Sequence, residues 1–355
     1  MSRIVIFAFF ILFCLNISAQ IVYHDAGNFP ILGKVSEATE TRYERLPAYL
    51  KKISRSPVWN LGKNTAGLAL RFRTNSTMVA ARWTALSNNA MNHQTATGTK
   101  GLDLYALVEN EWVFVNSGRP TGQETTATII GNMTSEEREY MLYLPLYDGV
   151  SKLEIGVDSL AFIGQPQVDL PRRTKPVVCY GTSILQGGCA TRPGMAHTNI
   201  LERRFNREFI NLGFSGNALL DLEIAELMAT VDASLFILDF LPNANVEQMN
   251  ERAIRFFRII REKHPDTPVL FVEDPVFTHS RFDNRIAEEV KNKNATINRI
   301  VNQLKAEGEK NIELLSSRDM LGRDGEATVD GVHFTDLGFM RYADLLTPYI
   351  EAVIR

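Results

Sequence analysis

Apolar positions follow two different periods along this chain, and the change falls near its middle. Between residues 68 and 157, short runs alternate apolar with small or charged residues, the period of two that half-buried strands require. Leu68 to Arg73 and Met78 to Trp83 are such runs, and Asn75 with Ser76 between them predicts a hairpin. Leu102 to Val108 and Trp112 to Val115, separated by Glu109-Asn110-Glu111, predict a second hairpin. Tyr140 to Leu144 and Lys152 to Val157 flank the turn residues Pro145 and Asp148-Gly149. Residues 20 to 56 carry no regular pattern. Short strands without a convincing helix predict a β-sandwich of jelly-roll type over residues 20–165.

Beyond Pro166 and Pro171 the grammar changes to short, mostly apolar runs. Val177 to Tyr180, Phe209 to Leu212, Leu235 to Phe240, Val269 to Val272 and Ile312 to Leu315 alternate with helical segments, which predicts βα units and a parallel sheet. Val246, Met249, Ala253, Phe256, Phe257 and Ile260 recur at helical spacing, as do Ile286, Val290, Ile297, Ile300, Val301 and Leu304. Both stripes read as core. The expectation is an α/β domain of three layers over residues 175–355, joined to the front domain by a linker at about 160–175.

Composition narrows the function. With 355 residues, 45% of them hydrophobic and 22% charged, the chain has material for two packed cores. A net charge of -3 with no dense basic block lacks the electrostatic footprint of a nucleic-acid binder. Arg3 precedes the apolar run Ile4 to Leu15, and Ile17-Ser18-Ala19 precedes Gln20, the layout of a secretory signal peptide over residues 1–19. A secreted or periplasmic protein follows, with no stable membrane insertion after cleavage. Cys179 and Cys189 then remain, too few for a disulfide framework; they either pack as thiols or form one bridge. His24, His93, His264 and His279 show no ligand spacing with one another or with cysteines, so neither a metal nor another cofactor is expected.

Open parallel sheets carry their chemistry beyond the carboxyl ends of the strands. Gly181-Thr182-Ser183 follows the first apolar run, Gly213-Phe214-Ser215-Gly216-Asn217 the second, Leu241-Pro242-Asn243 the third, and Asp330-Gly331-Val332-His333 comes after the fifth. A strand ending in Gly-Thr-Ser lifts a serine hydroxyl to the rim of the sheet. Serine is a weak nucleophile until a base takes its proton, and the base needs an orienting carboxylate; Ser183, His333 and Asp330 supply the three parts. The N–H groups of Ser183 and Gly216 and the amide of Asn243 are donors of the kind an oxyanion needs. His197, at the start of a helix predicted over Ala196 to Asn206, lies either at the pocket or at a helix end or surface. Glu273-Asp274 either contacts substrate or serves as a cap or ion-pair partner. The polar loop Ser87 to Lys100 either reaches a ligand or the other domain, or is solvated filler.

These blocks resemble the SGNH hydrolases, also called the GDSL esterase/lipase superfamily. Gly181-Thr182-Ser183 stands where that family has Gly-Asp-Ser, Asn211-Leu212-Gly213-Phe214-Ser215-Gly216 resembles its glycine block, and Asp330-Gly331-Val332-His333 its closing Asp-x-x-His block. The resemblance covers about residues 175–355. It implies a flavodoxin-like α/β/α fold, Ser183 as nucleophile, His333 as base, Asp330 as its partner, and Ser183, Gly216 and Asn243 as the oxyanion hole. Two departures stand out: Thr182 replaces the usual Asp, and Asp239-Phe240-Leu241-Pro242-Asn243 stands in place of a Gly-x-Asn-Asp block. In front, Gly101-Leu102-Asp103-Leu104-Tyr105 resembles the Gly-x-Asp-Leu-Tyr signature of a β-rich domain preceding one branch of these hydrolases, similar to bacterial carbohydrate esterases. From the residues alone, Asp103 and Tyr105 could equally form a plain polar strand face.

The function expected is that of a secreted serine esterase removing small acyl groups, acetyl first among them, from an acylated oligo- or polysaccharide. A lipid esterase or thioesterase with the same triad would need an apolar acyl pocket. A carbohydrate-binding protein with a decayed hydrolase domain is the non-enzymatic alternative, and retention of Ser183, Asp330 and His333 together argues against it.

Overall fold

The structure, a computed structural model, describes residues 20–354, so the expected signal segment lies outside the described residues. The front half runs through β1 (Ile21–Asp25), β2 (Ile31–Leu32), α1 (Ser56–Leu61), β3 (Ala69–Thr74), β4 (Val79–Ala85), α2 (Ala96–Lys100), β5 (Leu102–Val108), β6 (Glu111–Gly118), β7 (Glu124–Ile130), β8 (Arg138–Tyr143), β9 (Val150–Asp158) and β10 (Ile163–Gly164). Its strands form two antiparallel sheets, ordered β1-β9-β4-β7 and β10-β3-β8-β5-β6, with β2 beside β3. Between the sheets lie Phe72, Trp83, Leu104, Tyr140, Leu142, Leu153 and Ile155, all buried. This is the sandwich that the alternating runs predict.

One predicted hairpin forms and another does not. β5 and β6 pair antiparallel, with Val108 opposite Glu111. The runs at 68–73 and 78–83 belong to different sheets, as do those at 140–144 and 152–157, so both connections carry the chain across the sandwich instead of back along it. The Asp158 carboxylate explains the first crossing. Its Oδ2 accepts from Ser76 Oγ at 3.0 Å, Thr77 N at 2.8 Å and Thr77 Oγ1 at 2.6 Å, fixing the turn to the end of β9 in the sheet that β4 joins. Residues 20–56 also hold more order than their pattern suggests. β1 pairs with β9, and Leu46 and Leu50 enter the core of the rear domain together with Val58 and Trp59 of α1.

The rear half contains β11 (Arg172–Gly181), α3 (Ser183–Gln186), α4 (His197–Phe205), β12 (Arg207–Gly213), α5 (Leu222–Met228), β13 (Leu235–Asp239), α6 (Val246–Lys263), β14 (Val269–Val272), α7 (Asn284–Ala306), β15 (Ile312–Leu315) and α8 (Asp336–Val353). Its sheet is parallel throughout and ordered β12-β11-β13-β14-β15, the flavodoxin-like order, with the switch point between β11 and β13. α6 starts at a capping box in which Asn245 and Gln248 each accept the other's backbone N–H. Its buried stripe, Met249, Ala253, Phe256, Phe257 and Ile260, covers one face of the sheet with α5 and most of α7. α4 and α8 cover the other face through Ile200, Leu201, Phe339, Tyr342 and Leu346. Among the described residues no helix is long and apolar enough to cross a membrane.

Candidate active site

The first turn beyond the sheet is tight because β11 ends against its neighbour. A Cβ on Gly181 would sit 2.6 Å from the Asp239 carbonyl oxygen of β13, so only glycine fits. Thr182 then caps α3, its Oγ1 accepting from Ile184 N at 3.3 Å. Ser183 is the first residue of that helix, and first-turn N–H groups have no partner within the helix. Ser183 Oγ lies 3.0 Å from His333 Nε2, and His333 Nδ1 lies 2.7 Å from Asp330 Oδ2. Asp330 holds its pose by accepting the backbone N–H groups of Val332 at 3.0 Å and His333 at 2.8 Å on Oδ1. Burial pushes the Asp330 carboxyl up, but these hydrogen bonds outweigh it and hold the group at about 2. It is therefore an anion facing the imidazole. Gly331 permits the turn at φ +91°.

The other turns converge on the same rim. Asn211 ties the second turn to the first, donating from Nδ2 to Leu185 O at 2.7 Å and accepting from Gly213 N at 2.9 Å. Gln186 Oε1 accepts from Ser215 N at 3.0 Å. Gly216 takes φ +68° and its Cβ position faces open space, so its backbone borders the cleft without obstruction. Asn243 Oδ1 accepts from Ala218 N at 3.2 Å, which leaves its amide N–H groups as the unspent end of the side chain. Ser183, Ser215, Gly216, Asn243 and His333 share a cleft of about 460 Å³ with Asp274, His279, Arg285, Glu289 and Lys293. Two grooves of about 570 Å³ lie at the amino ends of the strands and contain no serine–histidine pair.

A model of the GDSL-like lipase/acylhydrolase family matches residues 174–351, and one described as the N-terminus of SGNH-hydrolase-type esterases, with the GxDLY signature, matches residues 21–163. The chain belongs to the GDSL-like lipase/acylhydrolase family. It is a hydrolase of the SGNH/GDSL esterase class. A protein from Bacteroides ovatus ATCC 8483 described as a GDSL-like lipase has the same structure at TM-score 0.90 and 37% identity, over 94% of this chain and 98% of its own. The salicylyl-acyltransferase SsfX3 of a tetracycline biosynthetic pathway aligns at TM-score 0.76 and 17% identity, over 94% and 97% of the two chains. A family two carbohydrate esterase from Clostridium thermocellum, in complex with cellohexaose, aligns at 0.58 and 11%, over 94% and 98%. At those identities the likeness is one of fold. No curated protein matches the chain.

In this GDSL esterase the front domain is joined directly to the site. The polar loop does reach across: Thr95 and Thr97 hydroxyls donate to Thr191 O at 2.5 and 2.6 Å, and the His93 ring lies 5.3 Å from that of His333. Tyr147 donates its hydroxyl to Ser183 O at 3.0 Å. The Gly-x-Asp-Leu-Tyr segment is an interdomain clasp. Asp103 Oδ2 accepts from Arg192 Nη1 and Gly194 N, both at 2.8 Å, and Arg192 also reaches Tyr105 Oη at 2.7 Å.

The remaining candidates resolve separately. His197 lies at a helix end, as the second alternative had it, but is buried among Phe339 and Tyr342 instead of facing solvent, and burial depresses its imidazole to about 3. Glu273 accepts from Ser317 N and Asn298 Nδ2 and acts as a strand-end cap. Asp274 lies 3.5 Å from Lys293 Nζ on the cleft wall, and burial raises it to about 6 against the pull of that lysine. Cys179 and Cys189 are both free and buried. Sequence reasoning missed Tyr147 and Arg45 altogether, and met His93 only as a histidine without ligand spacing on the polar loop. Arg45 is fully buried, and donates to Asn211 O and Gly213 O at 2.9 Å each, to Asn64 O at 2.8 Å and to Leu61 O at 2.7 Å. Nothing in the pattern marks a lone arginine as internal.

Proposed function

We propose that this esterase removes acetyl or similarly small acyl groups from carbohydrate through Ser183, His333 and Asp330. The observation that carries the reading is the continuous hydrogen-bonded path from Ser183 Oγ through His333 to Asp330, with contacts of 3.0 and 2.7 Å. His333 Nε2 takes the hydroxyl proton as Ser183 Oγ attacks the ester carbonyl, then returns it to the departing sugar oxygen. Water repeats the cycle on the acyl-enzyme. Asp330 fixes the imidazole tautomer by accepting from Nδ1 and balances the imidazolium that forms. The Ser183 and Gly216 N–H groups and Asn243 Nδ2 receive the charge that develops on the carbonyl oxygen.

The choice of a sugar alcohol rests on the cleft wall. Asp274, His279, Arg285, Glu289 and Lys293 line part of it beside Phe277, Ile286, Val290 and Val332, so polar partners for sugar hydroxyls stand next to an apolar strip that can receive a small acyl group. The fold itself is neutral on this point, since it carries carbohydrate esterases and a salicylyl-acyltransferase alike. The leader-like residues 1–19 fit a site of action outside the cytoplasm, where acylated polymers are met. Acetate release from acetylated xylan and hydrolysis of 4-nitrophenyl acetate against the palmitate ester test the reading. Activity on the acetates, lost in Ser183→Ala, supports it; preference for palmitate, or turnover equal in wild type and Ser183→Ala, refutes it.

A further inference from the structure

Two side chains beside the base His333, His93 and Cys189, have no part in ester hydrolysis as proposed. His93 comes from the front-domain loop, Cys189 from the segment after α3, and His333 from the closing turn. One ligand atom from each lies within 4.8 Å of the other two, the one such histidine–cysteine–carboxylate group among the described residues. Both imidazoles are oriented alike. His333 Nδ1 meets Asp330 Oδ2 at 2.7 Å and His93 Nδ1 meets Asn92 Oδ1 at 2.7 Å, so each Nε2 faces away from its carbonyl or carboxylate partner, that of His333 lying 3.0 Å from Ser183 Oγ. A side-chain oxygen on the far ring nitrogen is the arrangement that orients metal-binding histidines.

We propose that His93, Cys189 and His333 form a site for a zinc-like divalent cation, which blocks the esterase by occupying Nε2 of its base. Two histidines and one thiolate with a fourth position open to water make a tetrahedral set suited to Zn²⁺. Bonds of about 2.0–2.3 Å place tetrahedral ligand atoms roughly 3.5 Å apart, so the cluster closes by a side-chain movement of about 1 Å, which the half-buried His93 on its loop can supply. Binding replaces the thiol proton of Cys189 by the cation and releases that proton to solvent. The bound ion takes the lone pair that His333 would use on Ser183.

The inhibitory consequence rests on the serine-esterase reading; the binding site does not. Cobalt(II) added to the full mature chain should give the near-ultraviolet thiolate-to-cobalt band in wild type and in Ser183→Ala, and none in Cys189→Ala. Zinc should inhibit 4-nitrophenyl acetate hydrolysis by wild type, and the half-inhibiting concentration should rise about tenfold or more in His93→Ala and in Cys189→Ala. His93→Ala, on the surface loop, keeps the test decisive should Cys189→Ala fold poorly. Absence of the cobalt band in wild type, or zinc inhibition unchanged in His93→Ala, overturns the proposal. A cobalt band in Ser183→Ala stands in its favour even if no ester is hydrolysed.

Discussion

Arg45→Met tests how the front segment supports the turn that carries Gly216, the proposed oxyanion donor. The guanidinium is fully buried and reaches four backbone carbonyls, of which Asn211 O and Gly213 O lie at the end of β12, immediately before Gly216. It also lies 5.4 Å from the centre of the Phe214 ring. Methionine keeps much of the stem volume and removes every donor. Each buried carbonyl left without a partner costs about 1–3 kcal/mol. Two such carbonyls give roughly 2–6 kcal/mol, and relief of the cation's own burial offsets part of that, leaving a loss of about 3 kcal/mol. The melting temperature should fall by roughly 5 °C or more. Because the loosened element carries Gly216, kcat on 4-nitrophenyl acetate should drop more than KM rises. Thermal unfolding followed by circular dichroism, with steady-state kinetics below the transition, reads both effects. A variant that melts within about 1 °C of wild type with unchanged kcat would show that this arginine supports nothing.

Three further substitutions bear on the site and its clasp. Asn243→Ala should lower kcat by about 10²–10³-fold with little change in KM, the loss expected of one oxyanion donor; an unchanged kcat removes Asn243 from that role. Asp330→Asn should lower kcat by about 10⁴-fold. Its carboxyl is depressed from 3.8 to about 2, so its contribution to stability is complete above the ordinary value and disappears as pH falls through about 2. Wild type and Asp330→Asn should accordingly differ most in denaturation midpoint at neutral pH and converge in strong acid; a constant difference contradicts the assignment. Asp103→Asn leaves Arg192 without its carboxylate in the clasp and should cost about 3 kcal/mol in chemical denaturation, whereas an unmoved midpoint means the Gly-x-Asp-Leu-Tyr strand does not hold the domains together.

The parallel sheet was legible because its central strands are buried on both faces, and a continuous apolar run such as Val269 to Val272 fits such a strand. The Asp-x-x-His turn was legible for a different reason: Asp330 and His333 meet through local geometry, an Asx-type turn closed within four residues. The sandwich was legible only as a set of strands. Turn residues such as Asn75-Ser76 announce that the chain bends, but the sheet it enters next is decided by Asp158, more than eighty residues later. Likewise the contributions of Arg45, His93 and Tyr147 depend on how two domains dock, which no local period records. The burial of His197 was not legible because a helix-start histidine is ordinarily wet, and here α8 supplies the aromatic rings that bury it.

The central claim is that Ser183 is activated by His333 and becomes acylated. Reaction with a fluorophosphonate ester, followed by peptide mass spectrometry, tests it most directly. The account predicts a single stoichiometric adduct on the peptide containing Ser183, absent in Ser183→Ala and slowed by several orders of magnitude in His333→Ala. An adduct at another residue, or labelling at Ser183 that proceeds as fast without His333, would contradict it.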